Sequence, residues 1–133
     1  MNSLKLLKVI LVLSLLIAVV NFLALSLYLF WILPWLDLVL HFSGGLLVAL
    51  MGVWILLKIA PEQVSSSAPL VLFVVLFSAL SIGVGWELFE YFVGLHDRGH
   101  YLLDTATDIL ADLLGGVSAY WFLMHTRMRL LLL

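Results

Sequence analysis

The stretch VILVLSLLIAVVNFLALSLYLFWIL at positions 9–33 decides the class of this protein, because it contains no charged side chain. A helix needs about 20 mostly apolar residues to cross a lipid bilayer, and this stretch is long enough. The apolar region of a signal peptide is shorter, roughly 7–15 residues, so we expect an uncleaved anchor. The sequence therefore predicts a first membrane-spanning helix here.

Three further apolar stretches of similar length follow this one, at about residues 35–59, 69–94 and 102–124. None has the alternating pattern of a barrel strand, and in lipid a helix satisfies all of its own backbone hydrogen bonds. A polar linker at 60–67 divides the second stretch from the third. The sequence predicts an all-α fold, with a single transmembrane domain over residues 1–133 that is a bundle of four transmembrane helices.

The composition agrees with a membrane protein and excludes several other classes. Hydrophobic residues make up 65% and charged residues 11% of the chain, whereas a soluble domain is about 45–50% apolar and about 25% charged. This balance excludes an ordinary soluble enzyme and a basic face for nucleic acid. Cysteine is absent, so no disulfide or thiolate metal site is possible. We expect membrane lipids as partners and no nucleic acid.

The basic residues divide unequally between the two ends of the predicted helices. With four spans, the end that holds both termini carries Lys5, Lys8, Lys58, Arg127 and Arg129. The opposite end carries only Arg98. Because cytoplasmic loops are enriched in lysine and arginine, we predict a multi-pass protein of the inner (cytoplasmic) membrane with both termini in the cytoplasm.

Most of the acidic residues gather at the outer end of the predicted bundle. The second helix carries Asp37 and, one turn on, His41; the third carries Glu87 and Glu90. The fourth helix carries the stripe Asp104, Asp108 and Asp112. Side chains three or four residues apart lie on one face of a helix. Three separate helices therefore supply polar groups at the same end.

Helix geometry places several of these groups at one depth. With a rise of about 1.5 Å per residue, His41, Glu87 and Asp108 lie roughly 9–10 Å below the outer helix ends. Asp112 lies deeper, at about 15 Å by the same estimate. An acid at the centre of a membrane helix costs about 2.5–3.5 kcal/mol on insertion scales. These acids must therefore face inward, where they share protons or surround a cation.

Small residues spaced four apart accompany the acids on all three helices. They are the pairs Gly45/Ala49, Ser81/Gly85 and Ala111/Gly115. Such pairs let helix backbones approach closely in a membrane. We expect close packing of these helices around the polar groups.

The same three helices resemble the VanZ-like and YjdF-like families of small bacterial membrane proteins. The resemblance rests on D-x-x-x-H at 37–41, W-E-x-x-E at 86–90 and D-x-x-x-D-x-x-x-D-x-x-G at 104–115, in that order. VanZ-like proteins usually have amides near Glu90 and Asp112, so the more acidic pattern is closer to the YjdF type. The resemblance implies a compact helical bundle and the position of the site.

The polar cluster suggests an intramembrane metal-dependent enzyme. Imidazole and carboxylate ligands suit a divalent cation, whose identity the sequence leaves open. The predicted metal ligands are His41, Glu87, Asp104 and Asp108. The predicted acid–base residues are Glu90 and Asp112, with Asp37, Tyr91 and His100 in supporting positions. The expected substrate is a phospholipid or a lipid-linked envelope precursor.

Two other functions remain open at this stage. The stripe on the fourth helix descends toward the midplane, as a path for cations or protons would. No further acid continues the stripe to the cytoplasmic side. Alternatively, the cluster holds the helices in register in a structural or accessory membrane protein. Hydrogen bonds between membrane helices average under about 1 kcal/mol, and uncharged side chains would make them at lower cost.

Overall fold

The computed structural model describes residues 3–94 and 101–131, and all regular structure in these ranges is helical. The helices are α1 (Ser3–Ser26), α2 (Leu29–Ile32), α3 (Trp35–Ile59), α4 (Pro61–Ser66), α5 (Ala68–Val93) and α6 (Tyr101–Leu131). Three of the helices, α1, α3 and α5, are long and apolar enough to cross a membrane. The fourth long helix, α6, is not among the helices that are apolar enough to cross a membrane by this measure of length and composition. Its first half carries three aspartates.

The first predicted span, at about 9–33, is divided in the structure. Helix α1 begins earlier, at Ser3, and ends at Ser26. Tyr28 then takes the left-handed conformation with φ 56°, and the four-residue helix α2 follows it. A left-handed residue cannot continue a right-handed helix, so the chain turns before Pro34 and α3.

Local sequence signals explain the other helix ends. Pro61 begins α4 in the predicted polar linker, at a position where the missing backbone N–H has no helical partner. The side chain of Ser67 accepts a 3.3 Å hydrogen bond from the backbone N–H of Leu70 and so caps α5. At the other end, Gly94 with φ 74° stops α5. Helix α6 extends to Leu131, beyond the predicted end at about 124.

The packing centres on three helices, α3, α5 and α6, each of which contacts the other two. Helix α5 runs antiparallel to both neighbours: its Glu87 lies near His41 at the start of α3 and Thr105 at the start of α6. Helices α3 and α6 therefore run parallel to each other. Among the described helices, α1 contacts only α3 and the short α2.

The interior of the bundle has an apolar part and a polar part. The apolar part lies toward α4, and its largest fully buried side chains are Leu6, Leu50, Val53, Val71 and Val75. The polar part lies toward the start of α3 and α6, where one histidine and three acids are buried. The outside carries large exposed apolar side chains, such as Trp31 at 87% exposure, as expected of a surface that faces lipid.

Candidate metal centre

Glycines bring α3 and α6 into backbone contact beside the polar residues. A Cβ added to Gly115 would lie 2.6 Å from the backbone nitrogen of Leu46, and one added to Gly45 would lie 2.6 Å from the Cα of Asp112. Neither position tolerates a side chain unless the helices separate. The predicted close approach is therefore present for Gly45 and Gly115. At Gly85 nothing lies within 4 Å of such a Cβ, so this glycine does not mark a tight contact.

His41 is the central residue of the polar cluster and contacts acids from both neighbouring helices. Its Nδ1 lies 3.2 Å from Oδ2 of Asp112 on α6. Its Nε2 lies 3.9 Å from Oε1 of Glu87 on α5. All three side chains are buried, with 7%, 5% and 4% of the surface of His41, Asp112 and Glu87 exposed.

The contact with Asp112 indicates which nitrogen of His41 carries a proton. If the carboxylate of Asp112 is ionised, it only accepts hydrogen bonds, and Nδ1–H of His41 is then the donor to it. In a neutral imidazole the lone pair is then on Nε2, the nitrogen that lies on the Glu87 side. With this tautomer, His41 offers a ligand nitrogen to the interior of the cluster.

Glu87 has one oxygen that is held and one that is not. The hydroxyl of Thr105 on α6 donates a 2.6 Å hydrogen bond to Oε2. Among the described residues, Oε1 has no hydrogen-bond partner although it is buried. Leaving a buried polar atom without a partner costs about 1–3 kcal/mol, and more for a charged group. This oxygen is therefore suited to a positively charged ligand.

Three residues bring potential ligand atoms close together. Asp37 and His41 on α3 and Asp108 on α6 each offer one such atom, and these atoms lie within 4.8 Å of one another. His41 and Asp108 are buried, and Asp37 is half-buried. Of the predicted metal ligands, this group includes His41 and Asp108, with Glu87 adjacent to His41.

The remaining predicted site residues lie at the edge of the cluster or beyond it. Asp104 is exposed and outside the three-residue group, and it lies in the first turn of α6, one turn before Asp108. Glu90 is half-buried and accepts a 2.9 Å hydrogen bond from Nε1 of Trp86. Tyr91 is exposed, and the centroid of its ring lies 5.6 Å from the centroid of the Tyr101 ring. His100 lies outside the described residues.

Sequence reasoning did not identify two contacts that shape the site. Thr105 is one of two threonines in the segment 105–107, and the sequence does not show that this one faces Glu87. Gly83 leaves room for the carboxylate of Asp112, whose Cγ would lie 3.0 Å from a Cβ at that position. A glycine four residues before Glu87 was the only available signal.

The fold and the cluster define a helical integral membrane protein with buried ionisable residues inside the bundle. The model of a protein family described as "Predicted membrane protein (DUF2238)" matches residues 2–129, and the chain belongs to this family. No curated protein and no solved structure matches the chain.

Proposed function

We propose that the protein holds a divalent metal ion within the bundle and uses it as an enzyme on a lipid or lipid-linked envelope substrate. The observation that carries the proposal is the group Asp37, His41 and Asp108, with ligand atoms within 4.8 Å of one another. Ligands about 2.0–2.2 Å from one ion lie at most about 4.4 Å apart. The 4.8 Å within which these atoms lie exceeds this maximum by about 0.4 Å, a difference that small side-chain movements on binding would close.

Glu87 gives independent support for a cation at this place. Its buried Oε1 has no hydrogen-bond partner among the described residues and lies 3.9 Å from Nε2 of His41. This separation is below the limit of about 4.4 Å for two ligands of one ion. A cation beside both atoms would compensate for the missing hydrogen bond of Glu87, which we therefore assign as the fourth ligand.

The ligand set favours a transition metal. One imidazole with several carboxylates suits zinc, manganese or iron, whereas a site built of carboxylates alone would suit magnesium or calcium. The absence of cysteine leaves no thiolate ligand in the chain. We propose Zn²⁺, Mn²⁺ or Fe²⁺ as the ions to test first.

The surroundings of the cluster suggest a reaction at the level of lipid headgroups. When bound, an ion of this kind activates water and orients phosphate oxygens. The half-buried Glu90 stands at the edge of the cluster, where it would exchange a proton with a substrate. The exposed rings of Trp86 and Phe89 lie 5.4 Å apart beside it and would contact the apolar part of a lipid. We propose a phospholipid or a lipid-linked precursor as the substrate class.

The interior beyond the cluster favours an enclosed site over a conducting path. From the level of Ala49 toward α4, the buried residues of the described core are apolar: Leu6, Ile10, Ala49, Leu50, Val53, Val71, Val75, Ala119 and Leu123. Among these buried residues of the described core, an ion or a proton would find no ionisable group to carry it onward.

We also propose a four-span topology in the inner membrane. The support is that α6 packs along α3 and α5 from Thr105 to Gly116, antiparallel to α5. With α6 as the fourth span, the distribution of basic residues places both termini in the cytoplasm. On the motifs in α3, α5 and α6, we propose that the family is related to the YjdF-like and VanZ-like proteins.

Elemental analysis of detergent-purified protein without an affinity tag tests the metal site. The variant His41→Ala/Asp108→Ala removes two ligands. The matched control Glu62→Ala/His125→Ala also removes one acid and one histidine, both from exposed positions outside the cluster. We expect near-stoichiometric metal in the wild type and the control and its loss in the ligand variant. Absence of metal from folded wild-type protein, even after incubation with the three proposed ions, would contradict the proposal.

The enzyme part of the proposal needs a second experiment. Metal-loaded protein is incubated with vesicles of phosphatidylglycerol and phosphatidylethanolamine, and phosphorus NMR follows release of phosphorylated headgroups. We expect product with the wild type and none with His41→Ala/Asp108→Ala. If neither lipid gives product while the metal remains bound, the phospholipid substrate class is wrong.

A further inference from the structure

The carboxylate of Asp112 occupies a space that two glycines leave open. A Cβ at Gly83 on α5 would lie 3.0 Å from Cγ of Asp112 and closer still to Oδ2. A Cβ at Gly45 on α3 would lie 2.6 Å from Cα of Asp112. Asp112 is therefore fixed from two sides by helices that have no side chain at the point of contact.

The glycines near Gly45 and Gly83 in the sequence do not make a similar close contact. At Gly44, next to Gly45, and at Gly85, two residues after Gly83, a Cβ would meet nothing within 4 Å. Of these four glycines, only Gly45 and Gly83, which face Asp112, are needed for space. The same surroundings direct Oδ2 of Asp112 to Nδ1 of His41 at 3.2 Å.

A histidine that binds a metal commonly donates its other ring N–H to a carboxylate, which sets the tautomer and the orientation of the ring. Asp112 stands in this relation to His41, and it is 5% exposed. Nε2 of His41 is then free to act as ligand on the side of Glu87 Oε1, which lies 3.9 Å away and has no hydrogen-bond partner among the described residues.

We infer that Asp112 is a positioning residue for the metal, which holds His41 with Nε2 as the ligand atom and is itself held by Gly83 and Gly45. The inference rests on the proposed metal site and deepens it. It assigns to Asp112 a role different from the acid–base role that the sequence suggested. Glu90 then remains as the candidate acid–base residue.

The test uses Co²⁺ as the probe ion, because its visible absorption reports the number and geometry of ligands. Full-length protein in detergent is freed of metal and titrated with Co²⁺. An outer partner is a residue that hydrogen-bonds a metal ligand without touching the metal, and its loss typically lowers metal affinity by about 10–100-fold. We therefore expect Asp112→Ala to weaken Co²⁺ binding by this factor and to alter the spectrum. Asp112→Asn keeps an oxygen that accepts from Nδ1–H, and we expect it to restore part of the affinity and the wild-type spectrum.

A second pair of variants reaches Asp112 without changing it. Gly83→Ala forces the carboxylate to move, whereas Gly85→Ala adds the same methyl group to the same helix in open space. We expect weaker Co²⁺ binding in Gly83→Ala and unchanged binding in Gly85→Ala. This pair keeps the test informative where Asp112→Ala fails to fold.

The outcomes separate this inference from the proposed function. If wild-type protein binds no Co²⁺, the metal site itself is wrong. If the wild type binds Co²⁺ and both Asp112→Ala and Gly83→Ala bind it with the same affinity and spectrum, the metal site stands and the positioning role is wrong. Weaker binding in both variants, with partial rescue by Asp112→Asn, supports the inference.

Discussion

The hydroxyl of Thr105 donates a 2.6 Å hydrogen bond to Oε2 of Glu87, across the contact between α6 and α5. This bond fixes the carboxylate so that its other oxygen, Oε1, is buried 3.9 Å from Nε2 of His41. The threonine thus orients an acid without belonging to the acidic cluster.

Replacing Thr105 by valine should weaken metal binding. The variant preserves shape but removes the donor, so the Glu87 carboxylate is free to rotate. We expect a loss of about 10-fold in Co²⁺ affinity, the lower end of the range for outer partners. The control is Thr107→Val, because Thr107 is exposed and bonds only to backbone oxygens of its own helix, at 2.8 Å and 3.1 Å. Equal affinity in the two variants would contradict the role of Thr105.

Asp108 and Asp104 should differ in their importance for the metal, although they lie one turn apart on α6. Asp108 is 3% exposed and belongs to the three-residue group, whereas Asp104 is exposed and does not. We expect Asp108→Asn to lower metal affinity by more than the about 100-fold upper limit for an outer partner. Asp104→Asn should change it little. Isothermal titration with Zn²⁺ measures both, and a larger effect of Asp104→Asn would overturn the assignment.

The contact between α3 and α6 should be sensitive to one glycine and insensitive to its neighbour. Gly45→Ala places a methyl group against the backbone of Asp112, which cannot move unless the helices part. We expect a loss of about 1–3 kcal/mol in the free energy of unfolding, as for other overpacked sites. Gly44→Ala adds its methyl group to open space and should be neutral or slightly stabilising. Thermal unfolding in detergent compares the two, and equal midpoints would contradict the close contact.

The proposed topology can be tested directly because the chain contains no cysteine. Trp31→Cys and Ser66→Cys each introduce one thiol at an exposed position near opposite ends of α3. With both termini in the cytoplasm, a maleimide that does not cross the membrane should label Trp31→Cys in intact cells. Ser66→Cys should react only after lysis. The reverse pattern would mean that the orientation is inverted.

The sequence predicts the long helices and the gathering of polar residues at one end better than it predicts the contacts between the helices. Apolar length predicts the long helices, and the cost of acids in lipid predicts that they face inward. The group Asp37, His41 and Asp108 then joins residues that the spacing already placed at one end. These features depend on composition and helical periodicity, which act along a single chain segment.

The connections between helices depend on how closely the backbones approach, which a linear sequence does not contain. The rise per residue places Asp112 about one turn deeper than His41. In the structure, however, Oδ2 of Asp112 lies 3.2 Å from Nδ1 of His41. Gly45 and Gly115 bring α3 and α6 together at this level and make that contact possible. The sequence also does not reveal the break at Tyr28, since its neighbours are as apolar as the rest of the stretch.

The position of α6 in the chain has a consequence for the biogenesis of the protein. Helix α6 packs on α3 and α5, which the ribosome makes before it. During synthesis, His41 and Glu87 therefore enter the membrane before their partners Asp112 and Thr105 exist. The arrival of α6 both shields these groups and supplies the remaining acids, so the polar centre is complete only once α6 packs on α3 and α5. A nascent chain arrested before Tyr101 should accordingly be a substrate for membrane quality-control proteases.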